Sequence, residues 1–184
     1  MKNTKLSLSY CTILLVSFSF MDSVFADEKV LLDSDFEMVS TETWPQGWPQ
    51  HEQVSWQNEN GNRFLRIQSD SPGEMIMLYR ELFIPEGTVA LELSWRQRIT
   101  GLVCGENSWF DARIMMEYMD ANREKVAAKL PTPRRAVDSE GWEEKSITFD
   151  VPANARILKF MPTLFRVKAG TFEIDDVRLD AVKK

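Results

Sequence analysis

The sequence predicts an all-β domain of about ten strands, arranged as a sandwich or barrel, and three observations carry that reading. From Val30 onward apolar residues alternate with polar ones over short runs, the period of two expected of half-buried strands. Clusters of Gly, Pro, Asn and Asp punctuate these runs at spacings of roughly 8–12 residues, as in sandwiches and barrels. The sustained 3.6-residue period that a helical layer needs does not appear.

The elements follow in order. Leu32-Asp-Ser-Asp-Phe-Glu37 opens the pattern, and residues 53–57, 63–69 and 75–83 are the next strands. Asn58-Glu-Asn-Gly-Asn62, Asp70-Ser-Pro-Gly73 and Pro85-Glu-Gly87 separate them as turns. The clearest strand is 89–99, with Val89, Leu91, Leu93 and Trp95 on one side and Glu92, Ser94, Arg96 and Arg98 on the other. Residues 112–118 turn Ala112, Ile114, Met116 and Tyr118 inward and Arg113 and Glu117 outward. Asp120-Ala-Asn122 reads as a turn, so residues 120–129 continue as a hairpin rather than a short helix. Strands 146–151 and 156–160 are split by Pro152-Ala-Asn154. In the closing strand, 170–179, Phe172 and Ile174 share one parity and Val177 and Leu179 the other. At least one of Asp175 and Asp176 is therefore expected on a face with apolar side chains, where a carboxylate needs a partner.

Residues 1–26 read as a secretory signal, with Lys2 and Lys5 ahead of an apolar run over 6–20 and the small-residue cleavage site Val24-Phe25-Ala26. That leaves 27–184 as one domain, secreted or periplasmic. Of the two cysteines, Cys11 lies in the signal, so Cys104 is alone and an internal disulfide is not expected. No later segment approaches the roughly 18 apolar residues of a membrane span. With 22 basic against 28 acidic residues, net charge −6, nucleic acid and anionic membranes are poor partners.

Three chemistries are legible. Glu173-Ile-Asp175 superficially matches the carboxylate strand of retaining glycosidases, but the further acid that acid/base work requires is replaced by Val177 and Arg178. The only histidine, His51, lies in a Trp/Pro loop, and no nucleophile motif is present. Calcium takes six to eight oxygens. Glu37, the turn from Asn60 through Asn62 to Arg63, and Asp175 or Asp176 offer them; alternatively these acids accept turn amides or pair with arginines. Sugars stack on flat aromatic faces with polar groups on their hydroxyls. Trp109, in the long loop 101–110, is the best exposed candidate, followed by Trp44 and Trp48, while Trp56, Trp95 and Trp142 read as packing residues. Arg96, Arg98, Arg113 and Glu117 on the polar sides of the two long strands could line a groove; a solvated face of cross-strand ion pairs is the alternative.

Asp33-Ser-Asp-Phe-Glu37, Pro45-Gln-Gly-Trp48, Gly141-Trp142 before a strand ending in Val151-Pro152, and Gly170-Thr-Phe-Glu-Ile-Asp-Asp-Val177 together resemble the carbohydrate-binding modules of the family four, nine, sixteen and twenty-two group. The resemblance implies a galactose-binding-like jelly roll, a non-catalytic sugar-binding role, a structural calcium with Glu37 and Asp175 as side-chain ligands, and a scaffold role for Trp142. Two functions are then in competition: recognition of a polysaccharide or oligosaccharide through Trp109 and the arginines, or a structural domain that holds another exported protein. A glycan-active enzyme using Glu173 or Asp175 is a third.

Overall fold

The computed structural model describes residues 29–37 and 43–183; the signal expected over 1–26 lies outside them. Every regular element among the described residues is a strand: β1 (Val30–Ser34), β2 (Val54–Glu59), β3 (Asn62–Ser69), β4 (Met75–Met77), β5 (Arg80–Phe83), β6 (Thr88–Val103), β7 (Ala112–Met119), β8 (Lys125–Val126), β9 (Arg134–Arg135), β10 (Glu143–Asp150), β11 (Ile157–Phe165) and β12 (Ala169–Lys183). They form two antiparallel sheets. Sheet A runs β10-β6-β12-β3-β2 with β1 also on β12; sheet B runs β4-β11-β7-β8 with β5 also on β11 and β9 also on β7. The fold is the all-β jelly-roll sandwich expected from the sequence, with the 120–129 segment a hairpin in which Val126 pairs with Tyr118.

The core is the set of inward residues that the alternation marks. Leu65, Ile67, Leu91, Leu93, Trp95, Ile99, Phe172 and Ile174 from sheet A meet Ile76, Leu82, Ile114, Tyr118, Leu158, Phe160 and Leu164 from sheet B, all buried. Burying an aliphatic or aromatic side chain of this size is worth about 1.5–3 kcal/mol. Among the described residues Cys104 is the one cysteine; its thiol is free, with Sγ 3.3 Å from the Ala136 carbonyl oxygen.

Two local devices depart from simple alternation. In β12, Asp175 pairs with Arg96 but the next pairing is Arg178 with Ser94. One extra residue is thus inserted as a β-bulge, and Asp176 takes a left-handed φ of 47° there. The bulge resolves the parity conflict, because Phe172 and Ile174 before it and Val177 and Leu179 after it all face the core. The expectation that one aspartate shares a face with apolar core residues is corrected: Glu173 and Asp175 point outward from sheet A and Asp176 sits on the bulge. In β11, Pro162 lacks an N–H to give a neighbour. The strand continues through it to Phe165, while the facing edge breaks into β4 and β5, where the Leu78 amide donates to the Pro162 carbonyl at 3.0 Å. The single strand expected over 75–83 is therefore two, and the one expected to end at Phe160 is longer.

Candidate functional site

The four polar residues expected to share one groove are divided between the sheets. Arg96 and Arg98 lie on β6 in sheet A, Arg113 and Glu117 on β7 in sheet B. In both strands the alternate residues fill the core, so the two polar sets face away from each other across the sandwich. The single groove is corrected to two separate surfaces.

On sheet A the outer face is closed upon itself. Glu173, only 1% exposed, receives Arg66 from β3 at 2.5 Å and Arg98 Nε from β6, while Arg98 reaches on to Glu59 at 2.8 Å. Arg96 bonds Asp176 at 3.0 Å and lies 3.5 Å from Asp175. Trp142 roofs this network: its ring lies 5.1 Å from the Arg96 guanidinium, 4.9 Å from that of Arg98, and edge-on to Phe64 at 5.1 Å. The scaffold role implied for Trp142 fits this position. A cleft of about 500 Å3 beside the bulge, lined by Ser94, Arg96, Glu144, Lys145, Ser146 and Asp176, carries balanced charge.

At one corner of sheet A the residues suggested for calcium converge on the start of β3. The hairpin Asn60-Gly61, both residues at positive φ, is the turn that Asn-Gly favours; it delivers Asn62 and Arg63. The Arg63 amide donates to Glu37 Oε1 at 2.6 Å and the Asn62 amide nitrogen to Asp175 Oδ2 at 3.0 Å. Glu37 is aimed by Phe36, a left-handed residue at φ 57° whose ring packs 5.3 Å from Trp48. Burial pushes the Asp175 carboxyl up, against the downward pull of the Asn62 and Asp176 hydrogen bonds. Asp176 stands apart, exposed and paired with Arg96. Among the described residues no group of three or more His, Cys, Asp or Glu side chains is placed to hold a metal ion.

On sheet B the outer face is open along its margins, while the outward residues Ile157, Met161 and Thr163 of its middle strand β11 are buried. Phe83 is 73% exposed, and Tyr79 and Met75 are also exposed on the β4/β5 edge. Met77, Met115 and Met161 continue the surface inward by register. At its polar centre Glu117 binds Lys125 at 2.5 Å and pairs in register with Lys159, and Tyr79 donates to Glu81 at 2.5 Å. Towards the loop 104–111, shorter than the expected 101–110 because β6 runs on to Val103, Arg113 lies 4.9 Å over Phe165 and donates to the Trp109 carbonyl. The chain Trp109, Phe110, Phe165 is edge-to-face, with centroids 6.0 and 5.5 Å apart. Trp109 is 51% exposed. Beneath it Asp111, fully buried, bonds Arg113 Nε at 2.7 Å with one oxygen and has no hydrogen-bond partner on the other, 3.8 Å from Arg134.

Sheet B thus gathers Trp109, Arg113 and Glu117 but not Arg96, Arg98 or Trp44. Trp44 packs partly buried against the core and gives its indole N–H to the Trp48 carbonyl at 2.8 Å, and Trp48 is itself core. Asp111, Phe165, Tyr79, Phe83 and Lys159 were not singled out in the sequence. The pairing of β11 with β7 and β5 brings most of them together, and only Tyr79 and Phe83, which share the outward parity on 75–83, offered a local signal.

No protein-family model matches the chain, and no curated protein matches it. Solved structures do. A family 22 module of Xyn10C from Paenibacillus barcinonensis, described as a xylan-binding domain, aligns with TM-score 0.51 at 17% identity over 84% of this chain and 96% of that one. A family 16 carbohydrate-binding module aligns with TM-score 0.53 at 18% identity, over 73% and 90%. The Clostridium thermocellum Xyn10B structure, a family 22 module joined to its GH10 module and complexed with xylohexaose, gives TM-score 0.52 at 19% identity over 85% of this chain and 29% of that one. The chain spans nearly all of the isolated modules and under a third of the two-module protein. It has the jelly-roll fold of carbohydrate-binding modules.

Proposed function

We propose that the protein is a non-catalytic, exported carbohydrate-binding protein that holds polysaccharide against the outer face of sheet B, with Trp109 at one end. The observation that carries this reading is the contrast in exposure: Trp109, Tyr79 and Phe83 present open aromatic surface around paired polar groups, the composition that stacks on sugar C–H faces and bonds hydroxyls, on a fold whose solved examples include xylan-binding modules. Buried carboxylates support the absence of catalysis. Glu173 and Asp175, the acids a glycosidase would need, are each 1% exposed and engaged by arginine or amide donors. His51 accepts the Gln53 amide at Nδ1, as a loop residue would.

Structural calcium belongs to the same reading. The donors at the start of β3 are all of the hard-oxygen type: Glu37, Asp175 and, with its amide turned over, Asn62. Calcium would draw further oxygens from backbone carbonyls, and would tie β1's trailing loop, β3 and β12 together. Export predicts that the protein recovered outside the cytoplasm starts at Asp27; a product that keeps Met1 counts against it.

The test is retention of the purified protein on a panel of soluble and insoluble polysaccharides, with tryptophan fluorescence read in parallel. Retention with quenching that disappears in Trp109→Ala supports the reading. A folded protein silent on every glycan and captured by an exported protein instead would replace it.

A further inference from the structure

We propose that the loop end of this surface binds an anionic group on the glycan, a carboxylate or a sulfate. The inference rests on the sugar-binding reading and adds the class of sugar. A cleft of about 270 Å3 opens where the turn after β3, the loop after β6 and the turn between β11 and β12 meet, with Phe110, Arg166, Lys168 and Glu106 in its lining. Its walls are fixed by backbone hydrogen bonds among the three segments: Gly73 N–H to the Val167 carbonyl at 3.0 Å, and Lys168 N–H to the Val103 carbonyl at 2.8 Å. Gly105 closes the seam, since a Cβ there would collide with the Arg166 carbonyl and the Phe110 ring.

Charge in this cleft is not balanced as it is in the cleft beside the bulge. Among the described residues the ion pairs hold Arg66, Arg96, Arg98, Arg113 and Arg123 tightly to carboxylates, whereas Arg166 and Lys168 form none. Arg166 lies instead 5.8 Å from the Phe110 ring, on a left-handed residue at φ 51°. The lining carries two cations and one carboxylate. Asp111, next to Phe110 in sequence, is fully buried and engaged by Arg113, so it does not neutralise the cleft. A guanidinium pairs with a planar carboxylate through two hydrogen bonds, and Phe110 with Trp109 offers ring surface next to that charge. The whole chain is acidic, at −6, so general attraction of polyanions does not account for such binding; a local site does.

The experiment is affinity electrophoresis of the purified protein through gels containing glucuronoxylan, glucuronoxylan with its carboxylates reduced to alcohols, polygalacturonate, dextran sulfate or neutral xylan. The expected result is binding about tenfold tighter to a carboxylated or sulfated polymer than to its neutral counterpart, weakening with salt. The double variant Arg166→Gln, Lys168→Gln, with unchanged thermal melting, should lose that preference and keep neutral binding. Preference for dextran sulfate alone assigns the group as sulfate, and preference for the uronate polymers alone as carboxylate. Equal binding of native and reduced glucuronoxylan, with no gain on the other polyanions, overturns the inference and leaves sugar binding standing. Silence on every polymer overturns both.

Discussion

The outer faces of the two sheets arrange their charged residues in opposite ways. On sheet A the arginines of neighbouring strands converge on Glu173, Asp175 and Asp176, and Trp142 lies over them. On sheet B the ion pairs are scattered and, apart from that of Arg113 with buried Asp111, shallow, and the side chains of Met75, Tyr79, Phe83 and Trp109 stand exposed at its margins. Arginine density along a strand therefore does not mark a ligand surface; what the neighbouring strands present to those arginines decides. Sheet A uses its charges on itself, and sheet B leaves surface to spare.

The largest expected effect tests whether the sheet A network is structural. Glu173→Ala removes the acceptor shared by Arg66 and Arg98. Breaking a buried pair costs 3–5 kcal/mol, and with both arginines partly exposed the loss here is about 3 kcal/mol. At this chain size that is a fall in Tm of roughly 6–12 °C, with glycan binding by the folded protein unchanged. A cost under about 1 kcal/mol, the range of a surface pair, would remove the contrast between the faces.

Calcium comes next. If Glu37 and Asp175 hold the ion, a chelator should lower Tm by roughly 5–10 °C, the shift that about 2.7 kcal/mol of linkage gives when free calcium is a hundred times Kd. Glu37→Gln should abolish the chelator's effect. Identical melting with and without chelator would leave Glu37 with the Arg63 amide, and Asp175 with Asn62, the Asp176 amide and Arg96, as a metal-free arrangement.

Trp109→Ala tests sheet B. A half-exposed indole that stacks on sugar contributes about 1.5–2 kcal/mol to binding, a ten- to thirtyfold rise in Kd, while an exposed loop position leaves stability within about 0.5 kcal/mol. Loss of stability without loss of binding would show that the ring serves the Phe110–Phe165 stack rather than a ligand.

How far these faces were legible in the sequence follows from the range of the interactions. Inward residues such as Leu91, Leu93, Ile114 and Tyr118 announce themselves by alternation, a property of one strand. The convergence of Glu37, Asn62 and Asp175 was legible because turn chemistry and the acids of the first and last strands point to one place. What joins Arg98 to Glu173, 75 residues away, or Lys159 to Glu117, is strand order and register, which no single strand encodes. The bulge at Asp176 was present only as a parity conflict, and its resolution required the partner strand. Pro162 concealed the length of β11, since a proline in a central strand ordinarily argues against that strand.

Arg96→Gln gives the smallest effect and the finest test of the comparison. Arg96 is the sheet A residue nearest to being a ligand contact: it borders the 500 Å3 cleft beside the bulge, and the Asp176 it pairs with is itself exposed. Exposed pairs are worth about 0–1 kcal/mol, and Trp142 keeps Arg98 over its ring, so the variant should melt within about 3 °C of the parent. Its Kd for any glycan retained by the parent should be unchanged within about twofold. A tenfold loss of binding in Arg96→Gln, with Trp109→Ala neutral, would reverse the assignment: sheet A would be the binding face and its cleft the site, and the open aromatics of sheet B would need another occupant.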